Sequence, residues 1–190
     1  MAVSMDWLSR DKITRHWMWG VPLIFGIIIL DQLSKALVLN SANLRALDCL
    51  GEGVPCGAIK LSSLFNVTMM WNPGVSFGFL QAVGLGRWLL FLVIGVIATG
   101  FTFWMFRAER RMTAIALAMV VGGAVGNLID RARFGAVVDF LDFSGPWFGL
   151  KIAGWDVGFP WIFNVADASI TIGAAALLLD QLLVSRKRAS

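Results

Sequence analysis

Four long apolar segments alternate with shorter polar ones along the chain. The apolar segments cover roughly residues 17–39, 88–106, 113–129 and 162–183. A helix that crosses a bilayer needs about 20 mostly apolar residues, and each segment is close to that length. The pattern therefore predicts an all-α membrane protein with four transmembrane helices, in which residues 1–190 form a single integral membrane domain.

Two external segments are expected between these helices, at residues 40–87 and 130–161. Within the first, residues 59–71 are rich in β-forming side chains and lack helical periodicity, and residues 72–74 (Asn-Pro-Gly) form a turn signal. The second mixes aromatic residues with glycines, which suits a flexible interfacial flap. We therefore expect a small external β element and an interfacial loop.

Composition and charge agree with a membrane location. The chain is 58% hydrophobic and 15% charged, which is too apolar for an ordinary soluble domain. Residues 1–16, 107–112 and 184–190 hold nine of the 16 Lys and Arg residues. Positive residues beside membrane segments are retained in the cytoplasm, so both termini are expected there. The net charge of +4 is thus a topology signal, and no nucleic-acid partner is expected.

Two polar blocks interrupt the last apolar segments and contain Asp139 and Asp167. Inserting an ionised Asp near a bilayer interior costs a free energy of roughly 2.5 to 3.5 kcal/mol, so such a residue normally faces a cavity and has a function. Asn164 and Asp167 are three apart on one helix face, and Asn127 and Arg131 are four apart on another. If these faces meet, both carboxylates lie in one polar pocket near the external surface.

Two neighbouring carboxylates can share one proton, so that one activates water and the other protonates a carbonyl oxygen. This is the division of labour in aspartic peptidases, with Asn72, Asn127 and Asn164 available to fix the geometry. Arg131 is available to position the structure or a substrate. The same pair could serve as a proton relay in a small proton-coupled carrier or belong to a structural network. The residues alone leave these alternatives open.

Two other patterns concern helix packing. Asp31 and Lys35 are four residues apart on the first helix, so they share a face and can pair. Gly122 and Gly126 form a small-xxx-small motif on the third helix, which lets a neighbouring helix approach closely. The first pattern predicts an internal ion pair that holds the helix, and the second predicts a close contact between helices.

The cysteine, histidine and serine residues indicate less about function than the Asp residues do. Cys49 and Cys56 share one external loop, where a disulfide and two unpaired thiols are both compatible with the sequence. His16 is the single histidine and no metal-ligand spacing occurs, so neither a metal nor a cofactor is expected. Residues 74–78 match the G-x-S-x-G pattern of serine hydrolases but lack its strand-to-helix context.

Five ordered sequence blocks together resemble the signature blocks of bacterial lipoprotein signal peptidase, also called signal peptidase II. The resemblance extends over about residues 17–183. The blocks are Asp31-Gln32-x-Ser34-Lys35, Asn72-Pro73-Gly74-x-Ser76-Phe77, Gly122-Gly123-Ala124-x-Gly126-Asn127-x-Ile129-Asp130-Arg131, Val138-Asp139-Phe140 and Phe163-Asn164-x-Ala166-Asp167.

This resemblance implies an aspartic endopeptidase of the bacterial inner membrane, with its active site near the periplasmic face. It implies that the enzyme removes signal peptides from prolipoproteins by cutting before a diacylglyceryl-modified Cys, and that globomycin-type inhibitors occupy the site. The expected partners are these lipidated precursors and membrane lipid, and a monomer is expected. By resemblance, Asp139 and Asp167 are the catalytic dyad. The implied supporting residues are Asp31, Lys35, Asn72, Asn127, Arg131 and Asn164.

Overall fold

Four long helices form the body of the computed structural model. It describes residues 15–44, 49, 55–74, 85–145 and 151–189. In each helix a stretch is long and apolar enough to cross a membrane, which confirms the four predicted transmembrane helices. They are α1 Trp17–Leu39, α2 Leu85–Arg107, α3 Arg111–Phe134 and α4 Val165–Ala189.

Helix α3 lies at the centre and packs against the other three helices. In its apolar stretch of 18 residues, 61% is buried, whereas the corresponding stretches of the other three helices are 11% to 22% buried and leave their outer faces for lipid. Gly122 lies against Ile27 of α1, and a side chain at Gly123 would collide with the carbonyl oxygen of Ala166 on α4. Small residues let the helix backbones approach one another, as the glycine motif predicted.

A small antiparallel sheet lies at the C-terminal end of α3. The strands of the described residues are β1 Pro55–Lys60, β2 Asn66–Asn72, β3 Val137–Asp142, β4 Lys151–Ile152, β5 Trp155–Asp156 and β6 Ile162–Phe163. The sheet has the strand order β1-β2-β3-β6. Strands β1 and β2 correspond to the predicted β element, whereas β3 and β6 were not predicted from the sequence. The expected interfacial loop also contains the two-stranded hairpin of β4 and β5, so its described part is more regular than a flap.

Cys49 and Cys56 form a disulfide, with their Cα atoms 5.7 Å apart. The bond attaches the segment after α1 to the edge strand β1. Cys49 is buried in an apolar cluster with Trp71 of β2 and Phe140 of β3. Of the two states that the sequence left open, the structure therefore has the bonded one.

Strand β3 begins directly after α3 because the chain reverses at Gly135. This residue has φ of 76°, and its N–H donates to the carbonyl oxygen of Arg131 at 3.0 Å. A left-handed residue after a helix is usually glycine, since a Cβ atom is unfavourable there. The turn returns the chain beside β2, where Met70 pairs with Asp139.

We expect Gly135→Ala to lower the free energy of unfolding by roughly 1 to 2 kcal/mol, the cost of a left-handed conformation for an L-residue. Gly95→Ala is the matched control, because a Cβ at this position of α2 meets open space. Denaturation of both variants in the same detergent measures the difference. Equal stability of the two variants would show that the turn has no requirement for glycine.

Candidate active site

Asp139 lies in the middle of β3 and is 1% exposed. Its two carboxyl oxygens accept hydrogen bonds from different side-chain amides. Asn164 Nδ2 donates to Oδ1 at 2.7 Å, and Asn72 Nδ2 donates to Oδ2 at 3.0 Å. Asn72 is the last residue of β2 and Asn164 precedes α4, so the Asp139 carboxyl group connects the sheet to a helix start.

Asp167 lies in the first turn of α4. Its Oδ1 accepts a hydrogen bond from Asn127 Nδ2 at 2.8 Å, and its Oδ2 accepts one from the backbone N–H of Asn164 at 3.3 Å. In return, the backbone N–H of Asp167 donates to Asn164 Oδ1 at 2.9 Å. This reciprocal arrangement is that of a helix capping box. It fixes Asp167 at a helix N-terminus, where the helix dipole favours a negative charge.

Asn164 is fully buried and connects the two carboxyl groups. Because the backbone N–H of Asp167 can only donate, the Asn164 atom that faces it must be oxygen. The Nδ2 atom of Asn164 is therefore the one directed at Asp139. The same argument orients Asn72, whose Oδ1 accepts from the backbone N–H of Gly74 at 3.1 Å. Both donors to Asp139 are thus set by backbone groups.

Burial and the negative charge of Asp167 raise the pKa of Asp139 to about 8. The hydrogen bonds from Asn72 and Asn164 and the positive charge of Lys35 oppose this rise. Removing the carboxyl group from water disfavours its charged form, and this effect is the largest. The raised pKa favours the protonated form of Asp139 near neutral pH.

A buried ion cluster lies behind these residues. The Lys35 ammonium lies 2.8 Å from Asp31 Oδ2 and 2.7 Å from Asp130 Oδ2. Asp31 Oδ1 accepts from the backbone N–H of Ala166 at 3.0 Å, and Asp130 Oδ2 accepts from that of Val138 at 3.2 Å. The cluster therefore joins α1 and α3 to the segments that carry Asp167 and Asp139. The predicted pairing of Asp31 with Lys35 is present.

Two contributors to this cluster were not recognised from the sequence as site residues. Asp130 is the second carboxylate on Lys35, and Gln32 Nε2 donates to Asp130 Oδ1 at 2.9 Å. Both residues stand in the sequence blocks quoted above. The spacing of Asn127 and Asp130, three apart on α3, was an available signal. The partner of Asp130 is on another helix, so spacing alone did not assign it a role.

Arg131 holds the end of strand β2. Its Nη2 atom donates to the carbonyl oxygen of Gly74 at 2.7 Å, two residues after Asn72. Its Nη1 atom is 3.5 Å from the carbonyl oxygen of Asn127. The Nε atom of Arg131 is buried without a hydrogen-bond partner among the described residues. Of the two roles left open for this cation, the contacts support positioning of the structure.

A mostly apolar cavity of about 650 Å³ opens beside Asp167 and Asn72. A concave apolar site with a few polar groups is typical of a binding cleft. Asp167 contributes to its wall, whereas Asp139 is not among its lining residues. Among the described residues, no group of three His, Cys, Asp or Glu side chains is arranged to hold a metal. The other lining residues are Pro55, Met70, Phe159, Pro160, Trp161, Ile162, Phe163, Ala168, Ile170, Thr171 and Ile172.

Catalysis by a serine nucleophile finds no support at the described positions. Ser34 is next to Lys35, a possible base, but its Oγ donates to the carbonyl oxygen of Asp31 at 2.8 Å, and the Lys35 ammonium is bound in the ion cluster. His16 contacts the carbonyl oxygen of Glu109 in the turn between α2 and α3. Residues 75–78 of the G-x-S-x-G match lie outside the described residues.

Comparison with known proteins relates the chain to one family. The family described as Signal peptidase (SPase) II matches residues 23–183. The lipoprotein signal peptidase of Caulobacter vibrioides is 35% identical over 94% of this chain and 95% of that protein. The lipoprotein signal peptidase of Sphingopyxis alaskensis is 40% identical over 87% of both.

A solved structure shares the fold. It is that of a bacterial membrane enzyme, determined by the in meso method at 2.3 Å resolution. The two chains are 25% identical, and they superpose with a TM-score of 0.66 over 87% of this chain and 88% of the solved one. The four-helix arrangement with its small sheet is thus one found in a bacterial membrane enzyme.

We expect Asn72→Leu to raise the pKa of Asp139 above its value of about 8, because the substitution removes a hydrogen bond that favours the charged carboxylate. Infrared titration of the protonated carboxyl band measures this change, and loss of the band in Asp139→Asn identifies it. Asn66→Leu, at the other end of β2, is the control. An unchanged or lower titration midpoint in Asn72→Leu would contradict the assigned effect of this hydrogen bond.

Proposed function

The chain belongs to the signal peptidase II family, and we propose that it is an intramembrane aspartic endopeptidase. Its substrates are prolipoproteins that carry a diacylglyceryl group, and it cuts before the modified Cys. The observation that carries the proposal is the pair Asp139 and Asp167. The two carboxyl groups are connected through one buried residue, Asn164, and one of them has a pKa of about 8.

The two carboxyl groups differ in the way that peptide hydrolysis needs. Asp167, at the wall of the cleft, acts as the base and takes a proton from water. The water oxygen attacks the scissile carbonyl carbon while Asp139 gives its proton to the carbonyl oxygen. The tetrahedral intermediate then collapses, with Asp167 returning its proton to the leaving nitrogen and Asp139 regaining one from the diol. No covalent intermediate with the enzyme forms.

The supporting residues position this pair. Asn72 and Asn164 hold Asp139, and Asn127 donates to Asp167. The cluster of Asp31 and Lys35 anchors the surrounding helix starts, and Arg131 secures the chain beside Asn72 through Gly74. Geometry held in this way accelerates a reaction because the groups are already oriented before the substrate binds.

The cleft suits an apolar signal peptide that enters from lipid. Its wall is largely apolar, and Trp161 is exposed at its rim. The site lies at the C-terminal end of α3, opposite the basic turn with Arg110 and Arg111. With that turn in the cytoplasm, the active site lies at the periplasmic face of the inner membrane and both termini are cytoplasmic. Globomycin-type inhibitors are proposed to occupy the same cleft, and the enzyme is proposed to act as a monomer.

We expect the purified protein to cleave a diacylglyceryl-modified prolipoprotein but not its unlipidated form. Asp139→Asn and Asp167→Asn should each lower kcat by at least about 100-fold, because each removes a group that transfers a proton. A gel assay of precursor and product measures this. Asp142→Asn is the matched control: Asp142 is also on β3, but it is held by Thr68 and Ser144 away from the pair.

Cleavage that survives both substitutions would contradict the dyad. A folded wild-type protein that cleaves neither precursor would contradict the peptidase assignment. The proton-coupled carrier would then be tested by pH-dependent flux in sealed vesicles, where the same two substitutions should abolish transport.

A further inference from the structure

Lys35 is 2% exposed, and its ammonium group contacts three acceptors. Two are the carboxylates of Asp31 and Asp130 in the ion cluster. The third is Asn127 Oδ1, at 2.9 Å from Lys35 Nζ. An ammonium group has three N–H donors, so all of them are used. The third contact is made with a neutral side chain and therefore does something other than neutralise charge.

This third contact decides which way the Asn127 amide points. A lysine ammonium donates hydrogen bonds and accepts none, so the Asn127 atom that faces it must be oxygen. The amide nitrogen then faces the other way, where it lies 2.8 Å from Asp167 Oδ1. We propose that Lys35 is a positioning residue that fixes the Asn127 amide, so that Asp167 meets a donor and not an acceptor. The inference rests on the proposed role of Asp167 as the base.

Asn164 supports this orientation of Asn127, but only weakly, because its amide nitrogen has two hydrogens and lies near three acceptors. Its Nδ2 atom lies 3.1 Å from Asn127 Oδ1, 3.2 Å from the carbonyl oxygen of Val138 and 2.7 Å from Asp139 Oδ1. An amide nitrogen carries two hydrogens, and the shortest contact is with Asp139. The contact from Lys35 to Asn127 is shorter than the one from Asn164 and is made by a charged donor, which makes it the stronger constraint.

A reversed Asn127 amide would impair one defined step of the reaction. Its oxygen would face Asp167, so the carboxylate would lose a donor and meet a repulsive acceptor. The carboxylate would then have no donor on that side, which impairs its proposed proton transfer from water. Lys35 is not part of the cleft wall, so substrate binding should change little.

The test compares Lys35→Met/Asp130→Asn with the wild type and with Asp130→Asn alone. The cluster has two carboxylates and one ammonium, so the double variant, which loses one charge of each sign, has the same cluster charge as the wild type. The single variant keeps Lys35 and its contact with Asn127 and shows what the loss of the Asp130 carboxylate does by itself. Thermal unfolding in detergent establishes that both are folded, and cleavage of the lipidated precursor is measured across pH.

We expect the double variant to have a kcat about 100-fold below that of Asp130→Asn, within the range for a general base. KM should agree between the two within about threefold, as expected when an interaction made only during reaction is lost. Relative to the wild type, the acid limb of the kcat profile of the double variant should move to higher pH by about one unit, a shift of the size that one hydrogen bond produces. Lys35, whose charge lowers the pKa of Asp139, is removed together with Asp130, so the net charge behind Asp139 and Arg131 is the same in the double variant and in the wild type.

A kcat equal to that of Asp130→Asn, together with an acid limb equal to that of the wild type, would overturn the proposal and show that Lys35 has a purely structural role. A lower kcat with an unmoved acid limb would overturn it as well, because misfolding or poor packing reduces the active fraction at every pH alike. Failure of the proposed function is distinguishable, since it would appear as absent cleavage by the wild type.

Asn127→Leu provides a second test should the double variant not fold. It removes the amide donor to Asp167 without adding a charge and leaves Lys35 with no amide to orient. We expect the acid limb to move in the same direction as in the double variant. An unmoved limb in folded Asn127→Leu would overturn the proposal, because the amide that Lys35 orients would then have no effect on the base.

Discussion

The buried cluster of Lys35, Asp31 and Asp130 is the constraint from which the geometry of the site follows. Removing an ion from water costs several kcal/mol, and the cost is offset only when each charge has close partners and its remaining hydrogen-bonding atoms are satisfied. Here the cluster meets that condition by using backbone N–H groups of Ala166 and Val138. A displaced helix start or strand would leave a buried charge without a partner, so the cluster fixes where α4 and β3 begin.

Two of the residues next to these anchors are the ones proposed to react. Asp139 follows Val138 in sequence, and Asp167 follows Ala166. Each carboxyl group is therefore attached to a backbone unit whose N–H is held by the ion cluster. This explains how groups on a strand and on a helix keep a fixed relation in a protein whose outer helix faces are left for lipid. The glycines of α3 serve the same end, because a side chain at Gly126 would meet Asp31 Oδ2.

Local patterns predicted the parts of this site that lie on one helix. The four helices follow from segment length, and the pairing of Asp31 with Lys35 follows from a spacing of four. The close packing of α3 against a neighbouring helix follows from its glycines. Strand β3 was missed because Val137–Asp142 directly follows a helix, and its partner β2 is distant in sequence. The contact of Arg131 with Gly74 depends on that same pairing, so no local pattern indicates it.

The difference between the two carboxyl groups comes from the elements that hold them. Asp139 is enclosed in a sheet, with both oxygens bonded to amides and no share in the cleft wall. Asp167 is at a helix N-terminus and on that wall. Burial favours the protonated form of the first group, whereas the second lies at the positive end of a helix dipole and accepts a hydrogen bond from an amide. The opposite proton-transfer roles proposed for these two identical side chains thus follow from their positions, one within a strand and the other at the start of a helix.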